Sequence, residues 1–373
     1  MTPSRLRKAS IPALAAVVLF ASLAGAQSTP GPSSPASSLV AGAKSHLFGG
    51  QYDPRSPAAA PAPLRPEWAD YIGEYGWELG KFYVVEDGGE LNILAGWFDF
   101  ETIHPISADV FKLPLTGPHG AQTVTFQRDT AHAVTGVEIA GVVYKKRPFD
   151  TPGQVFHITP LKPVAELRKD ALASTPPAEP GNFRKPNLVE LNKLDPTIKL
   201  DVRYATSRNF LGSPLYLEPR AYMQRPAAEA VVRASQRLRQ LGYGLLIHDS
   251  YRPWYVTKMF WEGTPPEKRI FVANPAKGSR HNRGCAVDLT LYNLKTGEPI
   301  RMTGGYDEMS ERSYPFYPGG TSRERWHRDL LRHVMEADGF TVNESEWWHF
   351  DYKDWNEYPI LNLTFEQLEN SKP

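Results

Sequence analysis

This 373-residue chain almost lacks sulfur crosslinking capacity, having a single cysteine, Cys285. One cysteine excludes an intrachain disulfide and any Cys-rich zinc finger. An excess of either charge is also missing: 42 Lys and Arg stand against 41 Asp and Glu, leaving a net charge of +1. That balance gives no electrostatic case for a nucleic-acid partner or an anionic membrane surface. Long apolar runs are equally scarce. The one at residues 11–23 is interrupted by Pro12 and Ser22 and falls short of the ~20 residues a membrane span requires.

Other features are plentiful. Hydrophobic residues make up 41% and aromatics 12%, enough for real cores, and the length suggests two domains with linkers. Arg5, Arg7 and Lys8 precede the short apolar run, and Ala24-Gly25-Ala26 follows it as an A-x-A cleavage site. Residues 1–26 therefore read as a signal peptide, with export to a periplasm or the medium and no span left after its removal.

Residues 27–63 are rich in Pro, Ser, Ala and Gly and read as a tether. Residues 64–148 alternate apolar and polar residues in short segments, at 81–85, 91–94, 123–126, 133–139 and 142–146. Asp87-Gly88-Gly89 suits a hairpin turn, and Trp68, Tyr71, Tyr75 and Trp77 open the region as an aromatic group. The expectation is a small antiparallel β-barrel or sandwich. The pattern Val134-Thr-Gly-Val-Glu-Ile139, followed by Lys145-Lys-Arg147, resembles the lipocalin-like β-domain appended to secreted hydrolases. Residues 149–184 hold six prolines and read as a second linker, with one helical turn around 165–173. From 185 to 373 the pattern turns to mixed α and β, and the expected class is α+β. Arg225-Pro226 starts a helix that Gly242 closes, with Val231, Ala234, Leu238 and Leu241 on one face. A second helix opens at Thr321-Ser-Arg-Glu324. Its His327 and His333 are six apart and expected to be solvated or capping.

Two segments carry chemistry. Ser279-Arg-His281-Asn-Arg-Gly-Cys-Ala-Val-Asp288 places a loop His before a strand Asp, and Glu346-Trp-Trp-His349 pairs a carboxylate with an imidazole. His281, Asp288 and His349 would leave the fourth position of a tetrahedral zinc open. Glu346 would be free to activate water. Taken singly, the first segment also fits ordinary hydrogen bonding, and the second fits a core histidine in an aromatic strand. Glu346 and His349 face opposite sides of an ideal strand, so convergence requires a bulge between them. Asp249-Ser-Tyr-Arg252-Pro253 follows a buried strand, and Arg252 suits an oxyanion or carboxylate.

These motifs, with Asp201-Val-Arg-Tyr-Ala-Thr206, Asn209-Phe210 and Tyr306-Asp-Glu-Met-Ser-Glu-Arg-Ser313, resemble the D-alanyl-D-alanine dipeptidases, the VanX-like zinc peptidases, over about residues 185–370. The resemblance implies one zinc ion held by His281, Asp288 and His349, Glu346 as catalytic base, and Arg252 stabilising the tetrahedral intermediate. It further implies that Ser279 meets the dipeptide carboxylate, that Asp307 meets its ammonium group, and that Tyr204 begins a substrate-pocket segment. The implied substrate is a D-amino-acid dipeptide or other cell-wall peptide. Two other functions compete. One is a D,D- or L,D-carboxypeptidase acting on peptidoglycan stems, the other a non-catalytic cell-wall-binding protein. Cys285 stands where the family commonly has a small residue, and it reads either as a competing thiol ligand or as a small buried side chain.

Overall fold

A computed structural model describes residues 59–77, 80–97, 99–114, 121–147 and 155–370. The leader at 1–26 and the tether as far as residue 58 lie outside the described residues. The chain divides into two compact units. The first holds Ala62–Phe149 and Gly319–Ser322, the second Asp150–Pro318 and Arg323–Pro373.

Among its described residues up to 147, the first unit is β apart from a short helical turn at Pro66–Trp68. Strands β1 (Gly73–Tyr75), β2 (Phe82–Asp87), β3 (Glu90–Ala95) and β4 (Asp99–Thr102) form one antiparallel sheet in that order. Strands β5 (His104–Ser107), β6 (Val110–Leu113), β7 (Gln122–Arg128), β8 (Val134–Ile139) and β9 (Val142–Lys145) form another. Both sheets are open, and an isolated bridge joins Tyr75 to Lys146. No closed barrel is found among the described residues, which corrects that half of the barrel-or-sandwich expectation. The sheets share one core that includes Tyr75, Phe82, Val84, Phe126, Val137 and Tyr144. Asp87 pairs with Glu90 across Gly88 and Gly89, whose φ of 60° and 85° are what a tight two-residue hairpin demands. Of the four opening aromatics, Trp68, Tyr71 and Tyr75 are buried. Trp77 is exposed and stacks on Tyr144 at 5.4 Å.

The second unit mixes helices with a mainly antiparallel sheet. Helix α1 (Val164–Leu172) precedes β10 (Leu188–Glu190), α2 (Leu191–Leu194), β11 (Lys199–Leu200), β12 (Tyr222–Gln224) and α3 (Arg225–Gln240). Then follow β13 (Tyr243–Asp249), α4 (Trp254–Gly263), β14 (Ala286–Asn293), α5 (Ser322–Ala337), β15 (Phe340–Asn343), β16 (Glu346–Tyr352) and α6 (Phe365–Asn370). The central sheet runs β11-β13-β14-β16-β15, antiparallel except for β11 beside β13. Helix α3 follows its sequence signals. Pro226 sits in its first turn, Val231, Ala234 and Leu238 are fully buried, and Gly242 at φ 88° ends it.

The Pro-rich stretch does more than link. Leu167 and Ala171 of α1 are fully buried in the second core, and Phe156 and Ile158 pack against it. Residues 155–184 thus belong to the packed body of the second unit.

His327 also departs from expectation. It is buried, with Nε2 3.0 Å from the Tyr243 hydroxyl. Burial and the nearby Arg323 push its pKa down to about 4. The folded protein therefore holds His327 neutral at pH values where the unfolded chain, at ~6.5, takes up a proton. Stability should fall as pH drops from about 6.5 to about 4, by on the order of 2–3 kcal/mol from this residue. Unfolding followed across that range in the native protein and in His327→Gln should show a smaller drop in the variant. Equal drops would remove His327 as the cause.

Candidate metal centre and cavity

The site begins where β13 ends. Asp249 closes β13 opposite Asp288, after a register shift between Ile247 and Asp249. The chain then runs through Ser250 and Arg252 into α4. A tight turn from Ser279 to Gly284 carries His281, and Asn282 braces it. The Asn282 Nδ2 donates to Arg252 O and to Thr257 Oγ1, each at 2.8 Å, while its Oδ1 accepts from Ser279 N at 2.7 Å. Gly284 leaves the turn at φ 68°, and a Cβ there would lie 2.4 Å from Leu188 Cδ2. Only glycine satisfies both conditions without strain.

Strand pairing brings in the other two groups. In the β14–β16 register Asp288 stands directly opposite His349. The required bulge is present: β15 residues Val342 and Asn343 are consecutive, yet they pair with Phe350 and Glu346. The extra residues in β16 return Glu346 to the same side as His349, with Oε2 3.6 Å from His349 Nδ1.

Three atoms then converge. His281 Nε2 is 3.0 Å from His349 Nδ1, Asp288 Oδ1 is 3.3 Å from the former, and 3.1 Å separates it from the latter. Ligand atoms around a tetrahedral cation at ~2.0–2.1 Å stand roughly 3.3 Å apart, so the trio has the right size. All three residues are buried, and Asp288 Oδ1 has no hydrogen-bond partner. An orphaned carboxylate oxygen facing two imidazole nitrogens is costly without a cation.

Each of the three is held from behind, which is how proteins orient metal ligands. His281 Nδ1 lies 2.6 Å from Ser250 O, fixing that nitrogen as the donor and freeing Nε2. The His349 Nε2 is 2.9 Å from Asp351 Oδ1. Asp288 Oδ2 accepts from the Tyr306 hydroxyl at 3.1 Å. Sequence reasoning missed Asp351, Ser250 and Asn282. Strand alternation offers a signal for Asp351, since residues two apart share a face. Nothing local marks the other two.

The remaining candidates line one cavity of about 230 Å³ with the trio. Arg252, Ser279, Asp307, Glu346 and Tyr204 all border it, and Trp348 supplies part of its wall. Arg252 is buried. Its Nε and Nη2 both lie 2.8 Å from Asp249 Oδ2, and the guanidinium sits 4.5 Å over Phe260. The Asp249 Oδ1 in turn accepts from Tyr216 at 2.8 Å. Ser279 Oγ accepts from His281 N at 3.2 Å. Asp307 sits at φ 60°, with Oδ1 bonded to the Tyr204 hydroxyl at 2.8 Å and Oδ2 buried without a partner. Burial and the charge on Asp288 push the Asp307 carboxyl well above its usual range. Burial also raises Glu346, to about 7, against the pull of His349.

Cys285 is fully buried in the core, and burial pushes its thiol up to about 12. It is not part of the His281–Asp288–His349 group, so the competing-ligand reading gives way to a buried thiol.

Comparison with known proteins agrees with this geometry. A family profile described as D-ala-D-ala dipeptidase, within peptidase family M15, matches residues 184–367. A D-alanyl-D-alanine dipeptidase of Escherichia coli is 33% identical over 174 residues, covering 47% of this chain and 89% of that protein. One of Enterococcus faecium is 35% identical over 186 residues, with 45% and 92% covered. Another of Streptomyces coelicolor is 36% identical over 175 residues, with 42% and 87% covered. The matched stretch contains every residue of the cavity named above. The chain belongs to the D-alanyl-D-alanine dipeptidase family of zinc metallopeptidases.

Proposed function

We propose that this protein is an exported dipeptidase that hydrolyses D-Ala-D-Ala or similar short D-amino-acid peptides in cell-wall peptide turnover. The observation that carries the reading is a small walled cavity with the His–Asp–His trio and Asp307 on its lining. Its ~230 Å³ is below the roughly 300–1,000 Å³ of drug-sized sites, which suits a dipeptide better than a stem peptide. Export rests on the leader pattern at 1–26. The N-terminal β unit would be a lipocalin-like accessory module, and none of its described residues lines the cavity.

His281, Asp288 and His349 would hold the zinc. When bound, zinc lowers the pKa of water towards ~7 and polarises a carbonyl. The chain's own groups supply the rest. Glu346 takes the proton from the attacking water and returns it to the leaving amine. A carboxyl held near neutrality by burial is suited to both transfers. Arg252, locked on Asp249 and desolvated under Phe260, faces the oxyanion that forms at the scissile carbonyl. Asp307, which borders the cavity, meets the substrate ammonium, and that cation would draw Asp307 back to its ionised form. Ser279 meets the carboxylate at the other end. Trp348 and Phe260 exclude water from the reacting groups.

The decisive assay is amine release from D-Ala-D-Ala, L-Ala-L-Ala and a pentapeptide stem, with and without a chelator. Cleavage of the D-dipeptide that stops on chelation and returns with zinc is expected. Cleavage of the pentapeptide alone would replace the dipeptidase reading with the carboxypeptidase one. Glu346→Gln should keep stoichiometric zinc by metal analysis and lose kcat by roughly 10²–10⁴-fold. A fully active purified variant would remove Glu346 from the role of base. Asp307→Asn should cost about 1.5–3 kcal/mol in kcat/KM, the worth of a hydrogen bond to a charged group. Steady-state kinetics with zinc content unchanged would check this, and an unaltered kcat/KM would leave the ammonium to another partner.

A further inference from the structure

Tyr306 lies behind the metal trio rather than on the cavity surface. Its hydroxyl donates to Asp288 Oδ2 at 3.1 Å, and Tyr306 is buried at 5% exposure. The two oxygens of Asp288 are thereby set apart. Oδ1 faces both imidazoles with no hydrogen-bond partner, while Oδ2 is turned back to a donor. Arg252 Nη2 lies 3.6 Å from the same Oδ2 and adds attraction on that side.

The tyrosine ring is fixed in turn. His248 stacks on it at 4.4 Å and 24°, and Trp348 meets it edge-on at 5.6 Å and 72°. His248 is tied down by Asp201, with Nδ1 3.3 Å from the backbone oxygen and 3.5 Å from the carboxylate.

A carboxylate can bind a metal through one oxygen or two. Two would occupy the position that a catalytic zinc leaves open for water or substrate. Resting on the zinc-peptidase reading, we propose that Tyr306 is a positioning residue: by holding Oδ2 of Asp288 it restricts that ligand to one oxygen and keeps a coordination position free. The cavity residues named by the sequence motifs perform the chemistry. Tyr306 would decide the coordination number at which they perform it.

Tyr306→Phe removes the hydroxyl and preserves the ring, so packing against His248 and Trp348 is retained. The full chain would be purified in both forms, stripped of metal and titrated with zinc against a chromophoric chelator. The variant should lose about 10–100-fold in zinc affinity, as outer partners of metal ligands do. Substitution with cobalt(II) gives a second readout. A four-coordinate site absorbs strongly in the visible, and the variant band should weaken as the released oxygen joins the metal. Kinetically, kcat should fall with KM nearly unchanged. Equal zinc affinity and an unchanged cobalt spectrum in the two forms would overturn the proposal. A native protein that fails to bind zinc at all would instead overturn the zinc reading on which it rests.

Discussion

The antiparallel pairing of β14 with β16 sets Asp288 directly across from His349, and the rest of the site is arranged around that pair. Side chains alternate along a strand, so a slip of one residue in this register would turn one of the two away from the cavity. The register is protected on both sides. Val287 and Phe350 are fully buried beside the pair, and the bulge in β16 is a fixed local feature of the β15 pairing. His281 then arrives from a turn, which is the less constrained way to deliver a ligand. Asn282 compensates by tying that turn to the Arg252 segment and to α4.

Much of the site was legible in the chain because its residues come as compact motifs. His281–Asp288 and Glu346–His349 each sit within ten residues, and the spacing of the second demanded a bulge that the structure contains. Arg252 could be placed at a strand end from its neighbours alone. What could not be read were the groups whose role comes from tertiary packing. Ser250 acts through a backbone oxygen, which any residue type could offer. Asn282 acts by one hydrogen bond within its own turn and two to distant partners. His327 looked solvated because helix spacing alone does not tell which face Tyr243 covers.

The fold was legible to a similar degree and for similar reasons. Helix α3 announces itself through Pro226, an apolar stripe and Gly242. Strands β4 and β5 do not, because their residues are mostly exposed and lack alternation; β5 even contains Pro105. Prolines at 152–180 suggested a spacer, yet proline limits only local backbone and says nothing about what its neighbours bury. Leu167 and Ala171 bury themselves fully within that stretch.

Five carboxyl groups gather at this centre: Asp249, Asp288, Asp307, Glu346 and Asp351. Arg252 is the buried guanidinium among them, and Arg280, 3.5 Å from Asp351, is half exposed. Such a set repels itself when ionised in a poorly solvated space. A divalent cation would relieve much of that repulsion at once. Metal uptake and the folding of the second unit are therefore linked: whatever free energy the ion gains by binding the native state appears as resistance to unfolding. The ion that serves the chemistry would also act as a thermodynamic keystone. The metal-loaded protein would then resist unfolding more than the metal-free one, before any substrate is met.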